Sequence, residues 1–456
     1  MTTPPIISGG SLPFIGQGLS FLREPLELLE RGYREHGRVF GLKLGGKRMA
    51  VVLGPELNEL FFRETDQRLS IRAGYPFFAR MFSDRLYFLA DKDEYQEQRQ
   101  FVLPMFKGPQ LHAYIPMMLE EIERLMTALG DEGELELVHT FGTLVMNIAI
   151  RCFLGRGFRE RLGDRFFDIF RDFSAGMDPV LPGWLPLPHL LRSARAKKRL
   201  HQTLQGVIDE RRQMASPPDD FLQRLVDGSY TSGNKIPDKV IIDLILLMSW
   251  AGHETTAGHT SWAIIDILQH PEIAQRLRDE QNAAWADDSA PLEMAHLNEL
   301  KVLERALKET ERLHPVAFVL IRQAIEDIPL PTGHVLPKGW MVAISPWISH
   351  RLPEVFEAPE RFDPDRFLPE RGEKLTNLVG FGGGVHRCAG VNFAYLEMKV
   401  IVTVLLRHYE LELLDKDPQP IRGSHTKWPE SPCRVRYHRI ARGAGPVAGE
   451  RLVAAG

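Results

Sequence analysis

The chain has 456 residues, of which 44% are hydrophobic and 25% charged, and its formal net charge is -4. These fractions are ordinary for a globular protein, and the mild negative charge argues against nucleic acid as a bulk partner. Only three cysteines occur, Cys152, Cys388 and Cys433, and no two of them form a C-x-x-C pair. The composition therefore excludes a disulfide framework, a zinc ribbon and thioredoxin-like chemistry.

The N-terminal residues are rich in Pro, Gly and Ser and lack the basic and apolar regions of a secretory signal. No stretch contains ~18 consecutive apolar residues, so we expect no transmembrane anchor and a cytoplasmic protein. Residues 1–20 are predicted to be an extended proline-rich segment, and residues 441–456 a disordered tail. Length alone would suggest about three ordinary domains.

The first elements mix helix and strand. Apolar spacing predicts a helix from Pro25 to Gly37, two strands from Val39 to Leu53 and a helix from Pro55 to Glu64. Residues 73–89 then form a dense aromatic cluster without a clean period. This cluster is either a loop tucked into the core or one wall of a lipophilic pocket. Its candidate pocket residues are Phe77, Phe78, Met81, Phe82 and Phe88.

Helices are predicted through the middle of the chain. The segment from Tyr95 to Phe106 is one helix and carries Arg99. Residues 109–215 are predicted to be a succession of helices with breaks at 155–157 and 179–188. The proline-rich segment Asp178 to Pro188 is either a mobile lid over a pocket or an ordinary surface connector.

A long helix is predicted from Asp238 to about His270, with Pro237 in its first turn and Pro271 beyond its end. At ~1.5 Å per residue its ~32 residues span roughly 48 Å. Its nearly continuous apolar residues from Val240 to Ala251 indicate a buried central helix. Leu247 and Met248 on it are candidate pocket residues.

The middle of this helix breaks three local rules. Gly252 costs on the order of 1 kcal/mol relative to alanine. Thr255 competes for backbone hydrogen bonds, and a buried Glu254 must be paired or protonated. Such violations in an otherwise consistent element favour a functional role over a merely kinked core helix.

A shorter helix is predicted from Val302 to Leu313, where Glu309 and Arg312 share one face. Taken alone, that pair would be a solvated ion pair. Short strands are predicted from Ile328 to Ile344. Further candidate pocket residues are Val316, Phe318, Val319, Leu320 and, near the C-terminal hairpin, Trp428, which could equally be an exposed aromatic.

One cysteine lies between a glycine-rich turn and a helix predicted from Val391 to Arg407. Backbone amides at a helix N-terminus, together with His386, favour the thiolate of Cys388. Glycines let the backbone approach something flat and bulky. These are the properties of an axial haem ligand, although a lone cysteine is more often a small buried hydrophobe.

The residues Phe381, Gly384, His386, Cys388 and Gly390 resemble the haem-binding signature of the cytochrome P450 superfamily at each fixed position. The long helix resembles the family's Ala-Gly-x-Glu/Asp-Thr pattern, Glu309-x-x-Arg312 its Glu-x-x-Arg helix, and Arg366 a third family position. The resemblance covers roughly residues 10–438. It implies a mostly α fold with a minor β portion, one domain over residues 21–440, and haem b between the long helix and the Cys388 loop.

The resemblance also implies roles for single residues. Thr255 and Glu254 would deliver protons while the O–O bond of dioxygen breaks, and Ala251 and Gly252 would leave room for dioxygen. A buried cluster of Glu309, Arg312 and Arg366 would fix the loop that carries Cys388. The implied cofactor contacts are Tyr75, Tyr95, Arg99, Arg322, Phe381, His386 and Gly390, in addition to the iron ligand Cys388.

The implied activity is a haem-thiolate monooxygenase that oxidises a bulky lipophile. Electrons would come from a separate ferredoxin and an NAD(P)H-dependent reductase, since neither redox domain is fused to the chain. Local motifs are most similar to the sterol 14α-demethylase branch, which typically has His where Glu254 stands. Two other classes remain: a peroxide-driven haem-thiolate enzyme, and a non-catalytic haem sensor.

Overall fold

Helices make up most of the structure, and the strands are short. The computed structural model describes residues 1–9, 14–83, 85–176, 187–287, 290–423 and 426–440. The helices in these ranges are α1 (Gly18–Arg23), α2 (Pro25–His36), α3 (Pro55–Glu64), α4 (Ile71–Gly74), α5 (Phe78–Met81), α6 (Lys92–Val102), α7 (Pro109–Leu129), α8 (Leu137–Leu154), α9 (Arg156–Ser174), α10 (Pro188–Gln213), α11 (Phe221–Asp227), α12 (Asp238–Gln269), α13 (Pro271–Ala284), α14 (Met294–Glu299), α15 (Lys301–Leu313), α16 (Pro346–Ser349) and α17 (Val391–His408). The strands are β1 (Val39–Leu44), β2 (Lys47–Val52), β3 (Leu69–Ser70), β4 (Glu132–Glu136), β5 (Leu320–Ala324), β6 (Ile328–Pro329), β7 (Val335–Leu336), β8 (Met341–Ile344), β9 (Tyr409–Leu413) and β10 (Arg434–Arg439).

The helix α12 passes through the centre of the helical region, in contact with α8, α10, α15 and α17. It is buried along most of its length because its apolar residues cover every face. Its bounds match the predicted helix to within one residue. Pro237 precedes the helix as an extended residue (ψ 139°) rather than lying in its first turn, and Pro271 begins α13.

A five-stranded sheet lies beside the helices, in the order β1-β2-β8-β5-β3. The pair β2 and β8 is parallel, and the other pairs are antiparallel. β1 and β2 confirm the predicted strands, which meet at a turn with Gly45 at a φ of 64°. Because β5 continues directly from the segment after α15, the sheet holds Arg322 close to the helical core.

Several predicted elements differ in detail. The predicted helix from Tyr95 begins earlier, at Lys92, because the Asp91 side chain caps it by accepting the Glu94 N–H. The aromatic segment 73–89 includes α5 and a 3₁₀ turn at Tyr87–Leu89, so it is not a plain loop. β4 was not predicted, since its glutamate-rich sequence has little strand character and it forms by pairing with the distant β10.

The helix α8 is long and apolar enough by composition to cross a bilayer. In the fold, 61% of that stretch is buried, chiefly against α12, α9 and α7, as expected of a core helix. Two sequence predictions lie outside the described residues. They are the tail, residues 441–456, and most of the proline-rich segment, residues 177–186.

Candidate active site

The central helix opens to free space at its middle. α12 is buried before Met248 and after Thr255, but Ala251 is exposed and Gly252 to Thr255 are half-buried. A Cβ atom built on Gly252 would meet no heavy atom within 4 Å. An exposed stretch inside a helix that is buried on both sides faces an internal cavity, and the small residues there widen it.

Thr255 and Glu254 lie at this opening. The Thr255 hydroxyl donates to the Ala251 carbonyl at 2.6 Å, which leaves its oxygen able to accept a hydrogen bond from the cavity. Burial raises the pKa of Glu254, while the Thr426 hydroxyl, which donates to the carboxylate at 3.4 Å, opposes this shift. A carboxyl group with a raised pKa can both hold and release a proton nearer to neutral pH.

The loop that carries Cys388 is shaped by its glycines. Gly382 and Gly384 have φ values of 71° and 62°, which residues with a side chain rarely adopt. A Cβ on Gly383 would lie 2.5 Å from the Phe62 ring, so only glycine lets the loop pack there. The Cys388 N–H donates to the Phe381 carbonyl at 2.9 Å and closes the loop, and α17 begins three residues later.

The three cysteines differ in their surroundings. Cys152 and Cys433 are buried, whereas the Cys388 side chain is exposed although protein surrounds it closely, so its sulfur borders a cavity. Burial raises the pKa of Cys388 and outweighs the Gly390 amide and the charges of Arg387 and Arg99, which lower it. The loop alone therefore does not favour the thiolate as predicted, and a bound metal cation would have to supply the remaining stabilisation.

Side chains from α6 connect to the Cys388 loop. The Tyr95 hydroxyl accepts a hydrogen bond from Arg99 at 2.7 Å and donates to the Val385 carbonyl at 3.0 Å. The Tyr95 ring stacks on His386 with ring centroids 4.3 Å apart. His386 Nε2 itself pairs with Asp66, a partner that the sequence did not indicate, so only Nδ1 remains free to donate elsewhere.

A buried arginine lies on the neighbouring strand. Arg322 is only 6% exposed and donates to the Ile321 carbonyl at 2.8 Å and to the Thr65 hydroxyl at 3.3 Å. The Tyr75 hydroxyl accepts the Ile321 N–H at 2.8 Å beside it. Among the described residues, no carboxylate forms a salt bridge with Arg322. A buried guanidinium in this state is stabilised by an anionic group brought by a ligand.

Tyr87 is a further candidate that the sequence did not single out. It is 8% exposed, adopts a φ of 45°, and its hydroxyl has no hydrogen-bond partner among the described residues. Burial raises the pKa of Tyr87, and the nearby Arg99 opposes this shift. Gln98 holds the strained backbone by accepting the Tyr87 N–H at 2.6 Å and donating to the Arg85 carbonyl at 2.8 Å.

Phe78 brings the aromatic segment into contact with the central helix beside its opening. Phe78 stacks on Phe77 with ring centroids 4.6 Å apart and contacts Phe88 at 5.3 Å. It also contacts Trp250, the residue before Ala251, at 5.4 Å. Phe82 contacts both Phe78, at 6.2 Å, and Phe173 on α9, at 5.8 Å. Of the other candidates on this side, Met81 and Leu247 are buried, and Met248 is half-buried against the same core.

The residues predicted to form the second wall of the pocket pack in two different places. Gly258 on α12 lies against Val316 and Trp428, since a Cβ there would be 3.4 Å and 3.1 Å from their side chains. Trp428 is therefore packed on the central helix rather than exposed. Phe318, Val319 and Leu320 pack with the sheet's own core clusters, and Lys427 covers the Phe318 ring at 5.0 Å.

The predicted structural cluster is present and buried. Arg312 donates to both carboxylate oxygens of Glu309 at 2.8 and 2.9 Å, and Arg366 donates to one at 3.1 Å. All three side chains are at most 1% exposed. Arg312 also bonds the His350 carbonyl, and His350 Nε2 accepts the Val379 N–H at 2.9 Å. The cluster is thus connected to the chain two residues before Phe381.

A second cavity of about 370 Å³ lies between α14, α15, the Cys388 loop and α17. Its charged lining includes Lys308, Lys399 and Arg387, and Glu304 forms ion pairs with both lysines at 2.6 and 3.1 Å. Glu311 accepts a hydrogen bond from Tyr395, and burial raises its pKa to about 7. At neutral pH the cations therefore outweigh the anions on this side of the loop.

The site fits haem in three respects. The sulfur of Cys388 borders a cavity. The buried Arg322, which pairs with no carboxylate among the described residues, can bind a haem carboxylate. The opening in α12 leaves space for a flat group and a small molecule above it. The His259 ring, one turn beyond Thr255, has its centroid 6.1 Å from that of Phe381, so α12 and the cysteine loop come together next to the opening.

Comparisons with known proteins agree with this geometry. The cytochrome P450 family model matches residues 7–435. A sterol 14alpha-demethylase of Mycolicibacterium vanbaalenii is 32% identical over 452 residues, which cover 96% of this chain and 98% of that protein. A sterol 14-demethylase of Arabidopsis thaliana is 31% identical, over 94% of this chain and 90% of the relative.

A solved structure confirms the predicted fold class. Retinoic acid-bound cyanobacterial CYP120A1 superposes with a TM-score of 0.87 at 25% identity, over 96% of this chain and all of that one. The chain therefore belongs to the cytochrome P450 family and is a haem-dependent monooxygenase, with a cysteine thiolate as iron ligand and dioxygen as co-substrate.

Proposed function

We propose that this enzyme hydroxylates or otherwise oxidises a bulky lipophilic substrate, such as a sterol, terpenoid or polyketide. The observation that carries the proposal is the aromatic segment 73–89, whose Phe78 contacts Trp250 beside the opening of α12. An apolar wall next to the oxygen site selects apolar substrates. The relatives' names, sterol demethylases and a protein bound to retinoic acid, agree with a large lipophile.

We assign the iron ligand to Cys388 and the carboxylate contacts of the haem to Arg99, Arg322, Tyr75 and Tyr95. Haem supplies activation of dioxygen when it is bound. Cys388 is supported by its position beside the cavity, and Arg322 because no carboxylate in the described part of the chain pairs with it. His386 would act through Asp66 and Tyr95 to hold the loop, rather than mainly by contact with the cofactor.

Glu254 and Thr255 are assigned to proton delivery. The Thr255 oxygen, held by its bond to Ala251, would accept and pass on a proton at the cavity. Glu254 would exchange protons with solvent through a carboxyl whose pKa burial has raised. Thr426 would hold the Glu254 carboxylate in place. These residues favour oxygen activation by electron transfer over the peroxide-driven class.

Electrons would come from a separate ferredoxin and its NAD(P)H-dependent reductase. The cation-rich cavity beside the Cys388 loop supports an acidic partner, since Lys308, Lys399 and Arg387 lie on the side of the loop next to the thiolate. Charge attraction of this kind speeds association and weakens with salt. A cytoplasmic location stays a prediction.

A spin-state titration of the ferric holoprotein tests the substrate class. Sterols, terpenoids, polyketides and small polar compounds would be added while the Soret band is followed. We expect a low-to-high-spin shift with one lipophilic class, because that ligand displaces iron-bound water. A shift with the polar compounds alone would contradict the proposal. A shift with terpenoids or polyketides but not sterols would mean that the similarity to sterol demethylases reflects common ancestry and not a shared substrate.

Replacing Thr255 by alanine should uncouple electron use from product formation. Without the hydroxyl, proton delivery at the cavity fails, and we expect product formed per NAD(P)H consumed to fall on the order of tenfold while hydrogen peroxide rises. Thr260→Ala is the matched control, because its hydroxyl makes the same bond to a carbonyl four residues earlier, at 2.7 Å, but is fully buried. Equal coupling in Thr255→Ala and the parent enzyme would remove the assigned role.

A further inference from the structure

One face of α10 concentrates positive charge. Between Pro188 and Ile208 the helix carries five lysines and arginines and no carboxylate, in a chain whose net charge is negative. Four of these cations and one leucine fall at helical spacing on a single face, together with two polar residues one turn further on. We call this the basic face: Leu191, Arg192, Arg195, Lys198, Arg199, Gln202 and Thr203.

The basic face is turned to solvent. Arg192, Arg195, Lys198 and Arg199 are exposed, and Leu191 is 47% exposed. Among the described residues, none of these four cations has a carboxylate within salt-bridge distance. Lys197 and His201 of the same stretch lie towards Asp243 of α12, which His201 approaches at 3.2 Å.

A groove of about 230 Å³ runs along the same face, between α9 and α10. Its floor is apolar and comes from Leu162, Phe166 and Ile169 of α9. Arg165 and Arg199 stand at its sides, and neither is paired with a carboxylate in the described part of the chain. Guanidinium groups bind phosphate oxygens through paired hydrogen bonds, so this groove suits a phosphate group next to an acyl chain.

We propose that the basic face docks this enzyme on an anionic phospholipid surface, with one lipid phosphate seated between Arg165 and Arg199. Clustered cations on an amphipathic helix are attracted to acidic headgroups, and Leu191 adds a small apolar contact. The argument is independent of the substrate assignment. Binding of this kind is peripheral and reversible, because a single leucine contributes too little apolar area for stable insertion.

Vesicle flotation of the holoprotein tests the proposal. We expect binding to vesicles that contain phosphatidylglycerol at low salt, little binding to pure phosphatidylcholine, and release as salt screens the charges. Removal of each charge should weaken partition about fivefold, so Arg195→Gln with Lys198→Gln should lower it roughly twenty-five-fold. Equal binding to both vesicle types, or none to either, would overturn the proposal.

Two further double variants test whether vesicle binding depends on the basic face or on the overall positive charge. Arg434→Gln with Arg436→Gln removes the same charge from exposed positions on β10 and should leave partition within about twofold of the parent protein, since these residues lie outside the basic face. An equal loss in this control would contradict the proposal. Arg165→Gln with Arg199→Gln should weaken binding as strongly as the first pair. If inorganic phosphate binds in the groove but vesicles do not bind, the site is one for a free anion, and lipid docking is wrong.

Discussion

Replacing Cys388 by serine is expected to abolish the thiolate type of absorption spectrum of the reduced carbon monoxide complex. A serine hydroxyl is a poor donor to iron, and the strong electron donation that shifts the Soret band comes from sulfur. Loss of the ligand should also lower haem retention, because the carboxylate contacts at Arg99 and Arg322 alone would hold the cofactor. The measurements are the difference spectrum and the haem content per polypeptide.

The other cysteines provide the controls for this experiment. Cys433 is fully buried, and burial raises the pKa of its thiol to about 12, so it is a structural residue without nucleophilic character. Cys433→Ala should keep the parent spectrum, with only a modest loss of stability. An unchanged spectrum in Cys388→Ser, or a lost one in Cys433→Ala, would refute the ligand assignment.

Residues that lie in short contiguous motifs could be predicted from the sequence. The Ala251–Thr255 stretch stood out because it breaks the rules of a buried helix, and the structure has an opening there. The Glu309, Arg312 and Arg366 cluster was predicted from family spacing and is formed. The bounds of α12 and α17 followed from apolar periodicity and flanking residues, to within one residue.

Partners from distant segments could not be predicted. Asp66 pairs with His386 across 320 positions, and Thr426 reaches Glu254 across 172. Neither partner lies in a motif, and nothing local marks which surface each one faces.

The direction of the pKa shift of Cys388 also could not be predicted from the sequence. The sequence placed amides and cations near the sulfur, and these do lower its pKa. The cost of burial is larger and depends on how closely the surrounding chain packs, which periodicity does not reveal. The thiolate therefore depends on the cofactor's charge, and the protein contributes the position of the sulfur more than its ionisation.

Replacing Glu309 by glutamine should destabilise the fold strongly. The carboxylate is fully buried and compensates two arginines that are themselves at most 1% exposed. Neutralising it would leave Arg312 without an anion and Arg366 with only Glu373, at 3.3 Å, and breaking a buried pair costs about 3–5 kcal/mol. We expect the free energy of unfolding to fall by that amount in denaturant titration, together with a lower yield of holoprotein.

A glutamate on the same helix distinguishes this effect from a general loss of charge. Glu304 also pairs with two cations, Lys308 and Lys399, but its side chain is 34% exposed. Solvent screens such pairs, so Glu304→Gln should cost about 1 kcal/mol or less. Similar losses in the two variants would show that burial does not set the strength of the Glu309 cluster. We also expect Glu309→Gln, but not Glu304→Gln, to weaken haem retention. The reason is that His350 connects Arg312 to the chain just before the Cys388 loop.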